Sequence, residues 1–248
     1  MKSLLLATAA IAAFAAAPAM AQDGPVGSVG INYGNTEVDF GGLGGEADTW
    51  AVDGVVAMPA FGDWTVTVAA NASQFDDGSD DTAFAGAAHL TTVVGSDLRI
   101  GGFVGAADVA DETALTGGFE VQKYLSKATL TGVVAYTTAD DVDLDVWSVG
   151  GDAAFYVTED LRLNAGLSWM TIDDADVDGV TYGVGAEYEI ANSPFSVTAG
   201  LSHSDIEDVD VDSWTIGLRY SFGGGLQARD RAGAALPGSG VMGILGAL

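Results

Sequence analysis

This chain has no cysteine, which excludes disulfide frameworks and thiolate metal sites and suits a protein exported through an oxidising space. Basic residues are scarce: 8 lysines and arginines stand against 35 aspartates and glutamates, for a net charge of -27. That balance excludes a basic nucleic-acid surface, and no phosphate loop or zinc-ligand spacing is present. Long apolar runs are also missing after the first residues. No later segment approaches the roughly 20 apolar residues that a spanning helix needs, and Val241 to Leu248 is far too short. A membrane crossing by this chain would therefore use strands.

What is present begins with an export signal: Lys2, the apolar run Leu4 to Ala17, then Ala19-Met20-Ala21 as a small-residue cleavage site. Residues 1–21 read as a signal peptide, 22–222 as one domain and 223–248 as a C-terminal extension. Hydrophobic residues make up 48% of the chain and the mean hydropathy is +0.29, alongside 35 glycines and that large negative charge. Charge and grease must be segregated.

From Gly27 to Phe222 one unit repeats: an alternating segment, a tight turn, a second alternating segment, then an aspartate-rich loop. Hairpins start at Trp64, Leu98, Ala128, Leu161 and Phe195, roughly every thirty to thirty-four residues. Twelve strands are expected, near 27–37, 48–58, 64–74, 82–93, 98–107, 113–124, 128–138, 146–157, 161–172, 180–190, 195–204 and 213–222. Each has about the 9 to 11 residues that cross a bilayer when tilted. Period two sends Phe195, Val197, Ala199 and Leu201 to one face and Ser196, Thr198, Gly200 and Ser202 to the other. The expected fold is all-β, a single antiparallel transmembrane barrel with up-and-down meander.

Alternation alone would also suit a soluble sandwich, in which the apolar face lies inside. Two features choose the barrel. Tyr33, Trp50, Phe84, Tyr136, Trp147, Trp169, Tyr182 and Trp214 fall at the aspartate-loop ends of their strands. Trp64, Tyr124, Phe155, Tyr188, Phe195, Tyr220 and Phe222 fall at the tight-turn ends. Those read as two interfacial girdles. Of the 35 acidic residues, 24 lie in or beside the long loops, and no lysine or arginine does. Arg99, Lys123, Lys127, Arg162, Arg219, Arg229 and Arg231 lie at the opposite end or in the extension. A globular surface mixes its signs, whereas a chain held with one end outward keeps them apart.

The segment Thr215-Ile216-Gly217-Leu218-Arg219-Tyr220-Ser221-Phe222 resembles the terminal-strand signal of bacterial outer-membrane barrels. With the signal peptide and the hairpin repeat, residues 27 to 222 resemble a porin-like outer-membrane protein of the Gram-negative envelope. That resemblance implies insertion among outer-membrane lipid and Gly217, Tyr220 and Phe222 as the assembly signal read by the barrel assembly machinery. It departs from the family in one respect, because residues 223–248 follow the signal that usually closes the chain. An even strand number places both termini and the tight turns in the periplasm and the acidic loops outside. The extension is then either a disordered periplasmic tail or a partial plug drawn into the lumen by Arg229 and Arg231.

On the inward register fall Asp53, His89, Arg99, Glu120, Gln122, Asp152, Arg162, Glu187, Glu189 and Arg219, among many small residues. Arg99 is expected near Glu120, and Arg162 near Glu187 or Glu189, as wall braces or as a charged constriction. Five carboxylates against three arginines leave the lumen with a net charge of about -2, which favours cations. The function expected is passive diffusion of small hydrophilic solutes, with no cofactor and no covalent step. The alternative is a closed structural or surface-interaction barrel whose acidic loops bind divalent cations or envelope components. Asp174, Asp176 and Asp178 match the start of a calcium loop, but Gly185 stands where its last glutamate is required. Asp208 and Asp210 belong to a looser external carboxylate cluster. Lipase chemistry finds no support: His203 reads outward, while Ser202, Ser204 and Ser213 read inward.

Overall fold

The computed structural model describes residues 24–75, 82–109, 112–139, 144–172 and 177–236. Twelve strands follow one another: β1 (Val26–Phe40), β2 (Leu43–Pro59), β3 (Trp64–Phe75), β4 (Thr82–Val94), β5 (Leu98–Val109), β6 (Glu112–Tyr124), β7 (Ala128–Ala139), β8 (Leu144–Tyr156), β9 (Leu161–Ile172), β10 (Val177–Glu189), β11 (Phe195–Ile206) and β12 (Val209–Phe222). Each pairs antiparallel with its sequence neighbours, and β1 pairs with β12 from Gly27↔Phe222 to Phe40↔Val209, so the sheet closes. Closure removes the exposed edges that an open sheet would leave in lipid. No helix among the described residues is long and apolar enough to cross a membrane, which has no bearing on crossing by strands.

The burial pattern is inverted relative to a soluble domain. Phe119 is 74% exposed, Val104 65% and Leu201 62%, and all three lie on the outward register. Facing inward and buried are Thr67, Thr91, Arg99, Glu120, Gln122 and Glu187. The apolar band thus surrounds a polar interior, as a barrel solvated by lipid requires. Aromatic contacts mark the band's ends: Tyr33 sits between Trp50 (4.9 Å) and Trp214 (5.7 Å) at the loop end, and Phe195 meets Tyr220 at 5.6 Å at the turn end.

Two acidic stretches expected as loops are strand instead. Residues 37–48 form the continuing β1–β2 ladder, which reverses at Gly41-Gly42, and residues 205–212 continue β11 and β12 to a reversal at Glu207-Asp208. Both glycines have positive φ (59° and 87°), the backbone a two-residue hairpin turn demands. Their carboxylates alternate with Val38, Phe40, Val209 and Val211, so the period of two persists beneath a loop-like composition. Tyr124 is a second correction. It belongs to the inward set of β6 with Glu120 and Gln122, is buried, and is no part of a girdle.

After β12 the chain turns at Gly223 and Gly224, both at positive φ, and runs back into the tight-turn end of the barrel. It forms α1 (Leu226–Arg229), then a π-helical turn over Asp230–Ala234 that kinks at Gly233.

Candidate functional site

The site is the barrel interior, and its charges come in pairs rather than as a free ring. Arg219 on β12 meets Asp53 on β2 at 2.9 Å across β1, and donates to Ser28 Oγ at 2.9 Å. Gly30, opposite both, leaves the room: a Cβ there would stand 2.7 Å from Asp53 Oδ1. Asn32 donates to the same carboxylate at 2.7 Å. Arg162 on β9 meets Glu187 on β10 at 3.0 Å, as the cross-strand spacing predicts. Glu187 also accepts from Ser196 Oγ at 2.7 Å and faces Arg229 of the C-terminal segment at 3.3 Å, while Arg229 reaches Glu189 at 2.9 Å. Asp152, on β8, is inward and half-buried.

The expected Arg99–Glu120 pair is replaced by other partners. Arg99 lies directly across from Gln122, and its donors go to Tyr124 Oη (2.7 Å), Thr91 Oγ1 (2.7 Å) and the Arg231 carbonyl (2.8 Å). Glu120 instead meets His89 Nδ1 at 3.0 Å, with both side chains almost fully buried and the imidazole stacked on Phe103 at 5.2 Å. The two reach one another across β5 over Gly101, which carries no side chain to obstruct them. Phe103 continues into a small apolar cluster with Val133 and Ala135. This part of the wall is packed.

The other side is wetter. Ser202 and Thr215 face inward and yet are exposed, and Asn164, Ser168, Thr181 and Thr198 on the same arc are half-buried. Neighbouring strands link their small hydroxyl residues, Thr36 with Ser213 at 2.9 Å and Thr181 with Ser204 at 2.8 Å. Small polar residues with water beside them are what a solute path requires.

At the tight-turn mouth the C-terminal segment is held by Gln122 of the expected inward set and by Thr67 and Tyr156, which sequence reasoning did not assign to a site. Thr67 Oγ1 donates to the Gly233 carbonyl (3.0 Å), and Gln122 Nε2 to the Ala235 carbonyl (2.9 Å). The Tyr156 hydroxyl donates to the Asp230 carboxylate. Burial pushes that carboxyl above the ordinary aspartate range, and the hydrogen bond from Tyr156 opposes the shift. Leu226 packs on Ala154 and Tyr156 of β8.

The remaining expected residues sit as follows. Gly217 faces inward where a Cβ would stand 2.2 Å from Asn32 Oδ1, 2.6 Å from Thr198 Oγ1 and 3.0 Å from the Ile31 carbonyl, so a side chain there would have to displace its polar neighbours. Tyr220 points outward in the turn-end girdle, and Phe222 pairs with Gly27 at the barrel's seam. Asp174 and Asp176 lie outside the described residues. Asp178, Asp208 and Asp210 are exposed at the loop end. His203 faces outward, meets the Tyr182 ring at 5.1 Å, and pairs with the carboxylates of Asp212 (2.9 Å) and Asp210 (3.7 Å). Among the described residues no group of three or more histidine, aspartate and glutamate side chains is arranged to hold a metal ion.

A family model described as outer membrane protein beta-barrel domain matches residues 6–222. No curated protein matches the chain. Among solved structures the chain is similar to a KdgM porin, at 8% identity and a TM-score of 0.57, covering 78% of this chain and 99% of that one. It is similar to an outer-membrane channel from Pseudomonas putida F1, at 13% identity and 0.55, covering 84% and 97%. It is also similar to the translocator domain of the autotransporter NalP from Neisseria meningitidis, at 13% and 0.52, covering 79% and 88%. At these identities the likeness is one of fold.

Proposed function

From the premise that the chain belongs to the outer membrane protein beta-barrel domain family and resides in the outer membrane, we propose that it is a porin-like channel for passive diffusion of small hydrophilic solutes, with a preference for cations. The observation that carries this reading is the wet inward arc, where Ser202 and Thr215 meet solvent inside a barrel whose exterior is apolar. Cation preference is supported by the carboxylates of the interior and by the acidic loop end, whose field concentrates positive ions at the entrance. No covalent step enters the reading. Gly217, Tyr220 and Phe222 serve assembly in the same proposal, and Asp178, Asp208 and Asp210 meet divalent cations at the surface.

The packed side around His89, Glu120 and Phe103 favours a second reading, a closed structural barrel. Planar-bilayer recording of the purified mature protein separates the two. The channel reading expects discrete conductance steps and, in a salt gradient, a reversal potential of the cation-selective sign. That selectivity should shrink as salt rises from about 0.01 M, where screening reaches about 30 Å, to 1 M, where it reaches about 3 Å. Silence from folded protein, under every condition and in every chain length tested, supports the closed barrel.

A further inference from the structure

The C-terminal segment does more than rest at the mouth, because its anchors lie on opposite walls. Arg229 is tied to Glu187 and Glu189 on β10, and Asp230 to Tyr156 on β8. The Arg231 carbonyl is held by Arg99 on β5, the Ala235 carbonyl by Gln122 on β6 and the Gly233 carbonyl by Thr67 on β3. In the ring order four strands lie between β10 and β3 one way and six the other, so the segment crosses the bore near its diameter. Gly233 lies so close to the wall that a Cβ would stand 3.1 Å from Arg99 Nη1.

The attachment is of a kind that releases. Apart from Leu226 on its apolar seat, the buried Leu236 and the Arg231 guanidinium over the Tyr124 ring at 5.8 Å, the contacts are hydrogen bonds and ion pairs. Removing the segment would hand Thr67, Arg99 and Gln122 to lumen water rather than leave them dry, so undocking strands no wall group without a partner. The segment also carries charge. With it docked, six carboxylates (Asp53, Glu120, Asp152, Glu187, Glu189, Asp230) face five arginines (Arg99, Arg162, Arg219, Arg229, Arg231). Without it, five carboxylates face three arginines, and Glu189 loses the cation bound to it.

We infer that Leu226–Leu236 is a displaceable plug that narrows the tight-turn mouth of the channel and partly neutralises its carboxylates, so that its release gives a wider and more cation-selective path. This rests on the channel reading above, and the test keeps the two apart. Four chains are compared in planar bilayers: the full mature protein, a chain ending at Leu236, a chain ending at Phe222, and the full protein carrying Arg229→Glu, which sets a carboxylate against Glu187 and Glu189 without touching the barrel.

The mature protein and the chain ending at Leu236 are expected to share a small conductance. The chain ending at Phe222 and the Arg229→Glu protein should conduct at least about twofold more, with a reversal potential shifted further toward the cation limit. Equal conductance and selectivity in all four chains overturns the plug while leaving the channel. Opening that already appears in the chain ending at Leu236 also overturns it, since the docked residues are then no barrier. Silence in all four, with β-sheet circular dichroism intact, removes the channel and the plug with it.

Discussion

Replacing Phe119 by arginine should lower the barrel's unfolding free energy in lipid by about 2–4 kcal/mol, the cost of a guanidinium at the lipid-facing midplane of a barrel. Phe119 lies near the middle of β6, is 74% exposed, and is flanked in register by Gly102 and Val134. None of these offers a polar partner, and mid-strand height leaves a long reach to either interface. The matched control is Thr215→Lys, which places a charge on the inward, solvent-exposed register of β12 and should change stability by no more than about 0.5 kcal/mol. Urea titration of the folded proteins in lipid vesicles measures both. The account requires the outward substitution to be the costly one, and a larger loss from Thr215→Lys would reverse it.

Glu187→Ala should be as damaging for the opposite reason. Its carboxylate is buried and serves Arg162, Arg229 and Ser196 together. Truncation removes the carboxylate between two guanidinium groups, leaving Arg162 without this partner and Arg229 with Glu189 alone, a class of change that costs about 3–5 kcal/mol. Glu187→Gln keeps the volume and one acceptor, and its cost should be about 1–3 kcal/mol. Part of the loss is recoverable, because Arg229 can leave with the C-terminal segment whereas Arg162 cannot leave β9. The effect of Glu187→Ala should therefore be smaller in the chain ending at Phe222 than in the full protein. That difference is the coupling between the wall and the segment, and Glu187→Ala, the truncation at Phe222 and their combination form the cycle that measures it. Equal effects in both chains would mean that Arg229 draws nothing from Glu187.

Much of this architecture was legible because the side-chain direction of a strand has a period of two that composition does not disturb. The inward positions of Asp53, His89, Arg162 and Arg219 followed from parity alone, as did the Arg162–Glu187 pair from the register of β9 and β10. Parity also contained the answer where the reading failed. Tyr124 shares the face of Glu120 and Gln122, but an aromatic at a strand end suits a girdle, and that preference overrode the count. Tyr156 shares the face of Asp152 in the same way and was passed over as a partner for the C-terminal segment.

Composition misled in the two long hairpins, where dense aspartate reads as loop although Val209 and Val211 still alternate with Asp210 and Asp212. The pairing of His89 with Glu120 was hidden because it spans β5, and cross-strand rules describe adjacent strands only. Docking of residues 226–236 had almost no signature. Three of its wall partners, Thr67, Arg99 and Gln122, bond backbone carbonyls of the segment, and a carbonyl leaves no mark on a sequence. Arg229 and Arg231 were the available hint, since two cations stood beside an interior with excess carboxylate.

The most direct test uses the absence of native cysteine, which lets single thiols be placed along β12 without background. Cysteines at 213, 215, 214, 216 and 218 in the lipid-inserted protein are each offered a water-soluble thiol reagent and, after fluorescent labelling, a quencher confined to the acyl chains. The account predicts rapid aqueous modification at 213 and 215, and strong quenching at 216 and 218. Quenching at 215 with aqueous modification at 216 and 218, or no alternation along the strand, would contradict a polar interior wrapped in an apolar wall.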